Sequence, residues 1–178
     1  MTRLNLGCGD QKLKGYTNID IDPDLNPDIA LDIRTTLLPF KDGTIACVTI
    51  FHTIEHIERR YHDFVFQEIH RVLDPGGILL VSYPEFETCA KNYVQNVQGK
   101  RNFWRDTLYG RQLTMSDYHV TPMDTKEFKR FLKGIGFTDI YSYSELHQTF
   151  NTIVSAFKTK KPKDYEAHLN EYIFDKTA

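Results

Sequence analysis

The run Leu4-Asn5-Leu6-Gly7-Cys8-Gly9-Asp10, followed by Asn18-Ile19-Asp20-Ile21-Asp22, constrains the fold of this chain more than any other segment. It reads as a buried strand, a tight glycine turn and a second strand that ends in a carboxylate. Gly7 and Gly9 have no Cβ, so the chain can reverse sharply and leave main-chain N–H groups open to a ligand lying against them. A carboxylate at the end of the second strand is placed to grip a sugar diol. Together these features describe a nucleoside site. Two glycines serving only a turn are the alternative, and the acidic second strand and the elements downstream favour the site.

Strand-like runs then alternate with helical or irregular segments, the pattern of an α/β sheet. Arg3 to Leu6, Thr17 to Ile21, Ile29 to Leu31, Ala46 to Ile50 and Ile78 to Tyr83 are five candidate strands. Between the fourth and fifth, Arg59 to Leu73 has helical periodicity, with Tyr61, Phe64, Val65, Glu68, Ile69 and Val72 on one face. Asp74-Pro75-Gly76-Gly77 stops that helix, because proline cannot continue it and the glycines permit a reversal. Residues 85–120 mix aromatic and basic side chains without long periodicity and read as an acceptor-side insertion over the sheet, with a helix over Phe86 to Val97. Asp124 offers a helix N-cap with Glu127 three residues on, Gly134 and Gly136 end that helix, and Phe137 to Ser144 and Asn151 to Lys158 follow as strands. A short connection through Glu145, Leu146 and His147 lets those two pair antiparallel, and 162–178 form a charged tail with a weak helical stripe.

A length of 178 residues suits one domain spanning 1–178. The net charge of -2 gives no global electrostatic footprint for nucleic acid. Cys8, Cys47 and Cys89 form no CxxC and no metal spacing, and their odd number argues for a reducing, cytoplasmic setting rather than a disulfide framework. With no charged leader and no long apolar stretch, neither a secretory signal nor a membrane span is expected.

The glycine turn, the acidic end of the second strand at Asp20, the Asp32 to Phe40 segment with Leu38-Pro39-Phe40-Lys41-Asp42-Gly43, Glu55-His56-Ile57 and Arg71-Val72-Leu73-Asp74-Pro75-Gly76-Gly77 occur in a familiar order. Over about residues 3–84 the chain resembles the small, type 11-like class I S-adenosylmethionine-dependent methyltransferases. The resemblance implies a Rossmann-like three-layer sandwich, with a mostly parallel seven-stranded sheet whose last strand is antiparallel. It also implies that S-adenosyl-L-methionine is the cofactor and S-adenosyl-L-homocysteine the product. Carried over by position, Leu6, Gly7, Cys8 and Gly9 would hold the methionine part, with Asp10 near its ammonium. Asp20 would accept both ribose hydroxyls, Ile21 would pack on the adenine, Asp32 would receive its amino group and the Ile33 N–H would meet a ring nitrogen. Phe51 and His52 would line the opening beside the sulfonium methyl.

The chain departs from that pattern in two places. Ten residues separate Gly9 from Asp20, too few for a full helix and loop, so the first crossover is expected to be a turn or irregular segment. Ala46 stands near the start of the fourth strand where the family commonly has an acidic residue. One side of the pocket is thereby expected to be open, or closed by another subunit in a homo-oligomer. Glu55 and His56, three and four residues beyond His52, raise the question of a metal cluster, but they read better as a polar network behind the loop, and no metal is assigned. His62 and His70 read as packing or surface residues.

In-line methyl transfer asks the protein to align nucleophile, carbon and sulfur and to exclude water. A hydroxyl acceptor would need a base, and His119, in Ser116-Asp117-Tyr118-His119, and His52 are the candidates. A small-molecule acceptor is expected, first a sugar or nucleotide-sugar hydroxyl or amine. The insertion's Lys91, Lys100, Arg101, Arg105 and Arg111 keep RNA methylation open as an alternative. Cofactor binding without transfer, regulatory or sulfonium-cleaving, is another. A nicotinamide oxidoreductase is disfavoured, since Asp10-Gln11-Lys12 lacks the third glycine of GxGxxG.

Overall fold

A computed structural model describes residues 2–144 and 150–159. The connection through 145–147 and the tail 162–178 lie outside them. The strands are β1 (Thr2–Leu6), β2 (Thr17–Asp20), β3 (Ile29–Ala30), β4 (Ile45–Phe51), β5 (Leu73–Pro84), β6 (Thr138–Ser144) and β7 (Asn151–Phe157), and the α-helices are α1 (Arg59–Val72), α2 (Phe86–Val94), α3 (Arg101–Tyr109) and α4 (Thr125–Ile135). They form one seven-stranded sheet in the order β3-β2-β1-β4-β5-β7-β6. β1 pairs parallel with β2 and β4, and β4 with β5, whereas β7 runs antiparallel to both β5 and β6. This is the expected Rossmann-like α/β sheet. Its strand order reverses at β1 and β4, so the carboxyl ends of these two strands diverge and leave a crevice.

The core follows from which strands are apolar on both faces. Val48, Ile50, Leu79, Val81 and Tyr83 point to the side covered by α1 and α4 and join one cluster with Leu4, Leu6, Phe66, Phe128 and Leu132. Phe66 meets Phe128 and Phe131 edge to face at 5.3 and 5.5 Å, which locks α1 against α4. The buried face of α1 carries His62, Val65, Phe66, Glu68, Ile69 and Val72. Phe64, placed on that face by periodicity, is only partly covered, and Phe66 takes the central position. On the opposite side of the sheet Cys47, Ile78, Leu80 and Phe157 form a smaller cluster flanked by Tyr16 and Phe51.

Three differences from the sequence expectations have physical reasons. β5 starts at Leu73, which pairs with Ile45 before the register slips to Cys47 opposite Ile78, so Asp74–Gly77 is a bulge inside a strand rather than a separate turn. The helix expected over 86–97 ends at Val94, because Asn96 and Gln98 take positive φ. The unforeseen α3 is only nine residues long, and it is anchored by Trp104, whose indole N–H donates to the Val97 carbonyl.

The first crossover contains no helix, as its length requires. Its shape is instead held by Asn18, whose side chain accepts from Leu13 N–H at 2.8 Å and from Asn5 Nδ2 at 3.0 Å. Asn18 Nδ2 in turn lies within hydrogen-bond reach of the Leu13 and Tyr16 carbonyls. A second polar anchor ties α1 to the loop before β4. The buried Glu68 carboxylate accepts from Leu38 N–H at 2.7 Å and from Arg71 Nε and Nη2 at 2.7 and 2.6 Å. Arg71 also reaches Asp42 and the carbonyls of Leu38 and Phe40.

Replacing Arg71 with Ala leaves Glu68 buried without its counter-charge, so urea unfolding is expected to show a loss of about 3 kcal/mol. An unchanged midpoint would remove this anchor from the account. His62 Nε2–H donates to the Ile57 carbonyl, 3.0 Å away. Burial holds its imidazole below the ordinary value of 6.5, with Arg59 acting in the same direction and Asp63 and the main-chain contact opposing. The unfolded chain therefore binds the extra proton first. The stability His62 contributes is full above about pH 6.5 and falls as pH drops towards its lowered folded value. Melting curves of His62→Gln should accordingly lose less between pH 7 and pH 5 than those of the unaltered chain.

Candidate functional site

The crevice at the ends of β1 and β4 holds a cavity of about 480 Å³, within the usual range for small-ligand sites. Gly7, Gly9, Asp20, Ile21, Asp32, Ile33 and His52 line it, which brings seven of the eleven expected cofactor-binding residues to one wall. Cys8, Asp10 and Phe51 line a smaller cavity of about 230 Å³ on the other side of the glycine turn, with Gly7, Gly9 and His52 shared between the two. Leu6 lines neither and is buried in the core. His119 also lies off the cavity wall, behind His56, with the two rings 4.8 Å apart and nearly perpendicular.

The two glycines do different work. Gly7 has φ 66°, and a Cβ there would sit 2.1 Å from Thr53 Cγ2. Thr53 packs so closely because its hydroxyl donates to the Gly7 carbonyl at 3.1 Å, joining the turn after β1 to the loop after β4. Gly9 has φ 53° and nothing within 4 Å of where a Cβ would stand, so its open side faces ligand space. Its N–H donates to Asp20 Oδ2 at 2.8 Å, and Asp22 N–H donates to Asp20 Oδ1 at 3.0 Å. These bonds fix the carboxylate at the rim of the cavity. Each oxygen keeps a lone pair for a sugar hydroxyl.

Asp32 is gripped by a neighbour that sequence reasoning passed over. Arg34 Nε and Nη2 meet its two oxygens at 2.9 Å each, and the Arg34 N–H adds a third bond. The guanidinium holds the Asp32 carboxyl below the usual carboxylate range. The fork fixes the carboxylate plane, and because Oδ1 accepts two of the three bonds, the spare lone pair is on Oδ2. The spacing Asp32-Ile33-Arg34 was the available signal. Cys8 is a packing thiol, pushed up chiefly by burial and secondarily by Asp20, and so it stays protonated.

His52 stands at the mouth between the two cavities in the left-handed region, with φ 52°. For a non-glycine residue this backbone is uncommon, and five other described residues share it. Its Nδ1 faces Glu55 Oε1 at 3.5 Å, and Ser82 Oγ lies 3.2 Å from Nε2. Met115 and Ser116, brought in by the insertion, complete the far wall, a placement that no local pattern announces. Among the described residues no helix is long and apolar enough to cross a membrane.

Alanine at Gly7 must push Thr53 away in addition to adopting left-handed backbone, whereas alanine at Gly9 meets only the backbone penalty. Denaturant unfolding should show Gly7→Ala losing at least 2 kcal/mol and Gly9→Ala about 1 kcal/mol. Equal losses would show that the Thr53 contact carries no energy.

Residues 4–81 match the family model described as a methyltransferase domain. Three solved structures share the fold. A S-adenosylmethionine-dependent methyltransferase from Archaeoglobus fulgidus superposes with a TM-score of 0.63 at 13% identity, over 88% of this chain and 86% of that one. The methyltransferase bound to the Trm112 methyltransferase activator in Haloferax volcanii gives 0.60 at 15%, over 89% and 83%. Phosphoethanolamine N-methyltransferase 2 from Haemonchus contortus, in complex with phosphomonomethylethanolamine and S-adenosylhomocysteine, gives 0.58 at 14% over 90% of this chain, which spans about half (49%) of that longer protein. No curated protein matches the sequence. The glycine turn and Asp20 at the cavity rim fall inside the segment that matches the methyltransferase domain model, and the chain as a whole has the fold of these methyltransferases.

Proposed function

We propose that the chain transfers a methyl group to a small-molecule acceptor, a sugar or nucleotide-sugar hydroxyl or amine, entering between His52 and the Met115-Ser116 segment. The observation that carries this reading is the single cavity wall on which Gly9, Asp20 and His52 meet. When bound, S-adenosylmethionine supplies a methyl group already activated on a sulfonium. Asp20, preset by the Gly9 and Asp22 N–H groups, accepts the ribose hydroxyls, Ile21 covers the adenine and the Asp32-Ile33 edge reads its amino and ring nitrogens. Gly7, Cys8 and Gly9 offer main chain to the methionine part, with Leu6 supporting them from the core and Asp10 and Phe51 on the far side of the turn.

His52 is the proposed base for a hydroxyl acceptor. With Nδ1–H turned to Glu55, Nε2 carries the lone pair, which takes the acceptor's proton once the acceptor displaces the Ser82 hydroxyl and Asn151 amide that face it at 3.2 and 3.4 Å. His119 acts from behind His56, so its effect on the acceptor is indirect.

A small acceptor is favoured over RNA by how the insertion's cations are used. Lys91 pairs with Glu87, Arg105 with Asp106 and Arg111 with Asp117, which leaves less positive charge for phosphates than composition suggests. Passive cofactor binding is separated from transfer by following a methyl-labelled cofactor across an acceptor panel. Labelled sugar or nucleotide-sugar product supports the reading, and labelled RNA or no product contradicts it. Calorimetry with S-adenosylhomocysteine should show Asp20→Ala binding at least tenfold more weakly, about 1.4 kcal/mol or more, with NAD and NADP giving no melting shift in the unaltered chain. His52→Ala should lower turnover by about a hundredfold or more while changing that affinity little.

A further inference from the structure

Beyond the cofactor clasp, Glu55, His56 and His119 converge, each offering a donor atom within 4.8 Å of the other two. The Glu55 side chain is 3% exposed, and among the described residues neither of its carboxylate oxygens has a hydrogen-bond partner. A carboxylate buried without donors is strongly disfavoured unless a cation meets it. His52 Nδ1 faces one oxygen at 3.5 Å, and the carboxylate has a second.

Both imidazoles of the cluster are held from behind by main chain. His56 Nδ1 is 2.9 Å from the Tyr118 carbonyl, and the Thr107 carbonyl contacts the His119 ring. An N–H given to a carbonyl places the lone pair on the opposite ring nitrogen, which is how proteins orient histidines that ligate metals. The backbone around the cluster is clamped as well. Val120 and Thr121 N–H donate to the Glu55 carbonyl at 2.9 and 3.1 Å, and Thr121 Oγ1 donates to the Ile57 carbonyl at 2.7 Å. His119 N–H donates to the Tyr109 carbonyl, where a Cβ on the adjacent Gly110 would strike Asp117 O at 1.6 Å.

We propose that Glu55, His56 and His119 bind a first-row divalent transition-metal ion of the zinc class, with the remaining coordination positions opening past His56 into the cofactor cavity. Two imidazoles and one carboxylate are a donor set that suits such ions and is poor for magnesium or calcium. Metal–ligand bonds near 2.0–2.2 Å put neighbouring donors roughly 3.4 Å apart, so a pair 4.8 Å apart closes by about 1.4 Å on binding. Sequence spacing joined Glu55 and His56 to His52, and the fold substitutes His119 as the third ligand. An ion held there would stand behind His56 at the edge of the cofactor cavity and would supply Lewis acidity to an acceptor oxygen reaching it. That catalytic role rests on the methyl-transfer reading, whereas the affinity for metal does not.

The test is titration of the full, chelator-stripped chain with Zn2+ by calorimetry and with Co2+ by visible absorption, in parallel with S-adenosylhomocysteine binding. One equivalent of Zn2+ is expected, with the spectrum of a nitrogen- and oxygen-ligated Co2+ site and no uptake of Mg2+. Glu55→Gln and His119→Ala should each weaken Zn2+ at least tenfold while the far-ultraviolet circular dichroism is kept. Should one variant fail to fold, the other decides. No uptake by the unaltered chain, thiolate bands from Cys8, Cys47 or Cys89, or equal affinity in a folded variant overturns the proposal and makes the cluster a polar network. Failure to bind S-adenosylhomocysteine would instead overturn the methyl-transfer reading and leave the metal result standing.

Discussion

The Asp20 carboxylate ties together parts of the chain that would otherwise move independently. It accepts from Gly9 N–H, in the turn leaving β1, and from Asp22 N–H, in the turn leaving β2, so that two strand ends converge on one charged group. A carboxylate placed this way does not have to rotate or shed disordered water to meet a diol, and preorganisation of that kind raises affinity by lowering the ordering cost of binding. Gly9 shares in it directly. Its open side and its left-handed backbone leave the main chain bare next to the same carboxylate.

This clasp is built without the helix that normally follows such a turn. A dipole at a helix N-terminus therefore contributes nothing to the crossover between β1 and β2, and Asn5 and Asn18 provide the rigidity instead. Both asparagines are buried, and Asn18 also draws on Asp28, whose carboxylate the Asn18 N–H and amide hold below the usual range. The crossover, β2 and the turn into β3 form one hydrogen-bonded unit. Thr53 then attaches that unit to the loop after β4, which carries His52, Glu55 and His56. Thr53 thus adds to the β1–β4 ladder and the Thr49 hydroxyl in joining the turn after β1 to the loop after β4.

What the sequence made legible follows from the range of the interactions involved. β1, β4 and β5 were readable because strands buried on both faces are continuous apolar runs, and the clasp because Gly7, Gly9 and Asp20 lie close in the chain. The register of α1 was not, since the choice of Phe66 over Phe64 is made by Phe128 and Phe131 on a helix more than sixty residues away. The same holds for the far wall of the cavity. Met115 and Ser116 reach it, and His119 stands behind His56, only because residues 120 and 121 hydrogen-bond to Glu55. Arg34 was local and still missed, because an Asp-x-Arg spacing in a loop has many meanings until the fork closes on Asp32.

A crystal structure of the chain grown with S-adenosylhomocysteine tests the central claim most directly. The account predicts both ribose hydroxyls within hydrogen-bond distance of Asp20, with the Gly9 N–H still donating to Oδ2. Density for the ligand elsewhere, or an Asp20 side chain rotated away from it, would contradict the account.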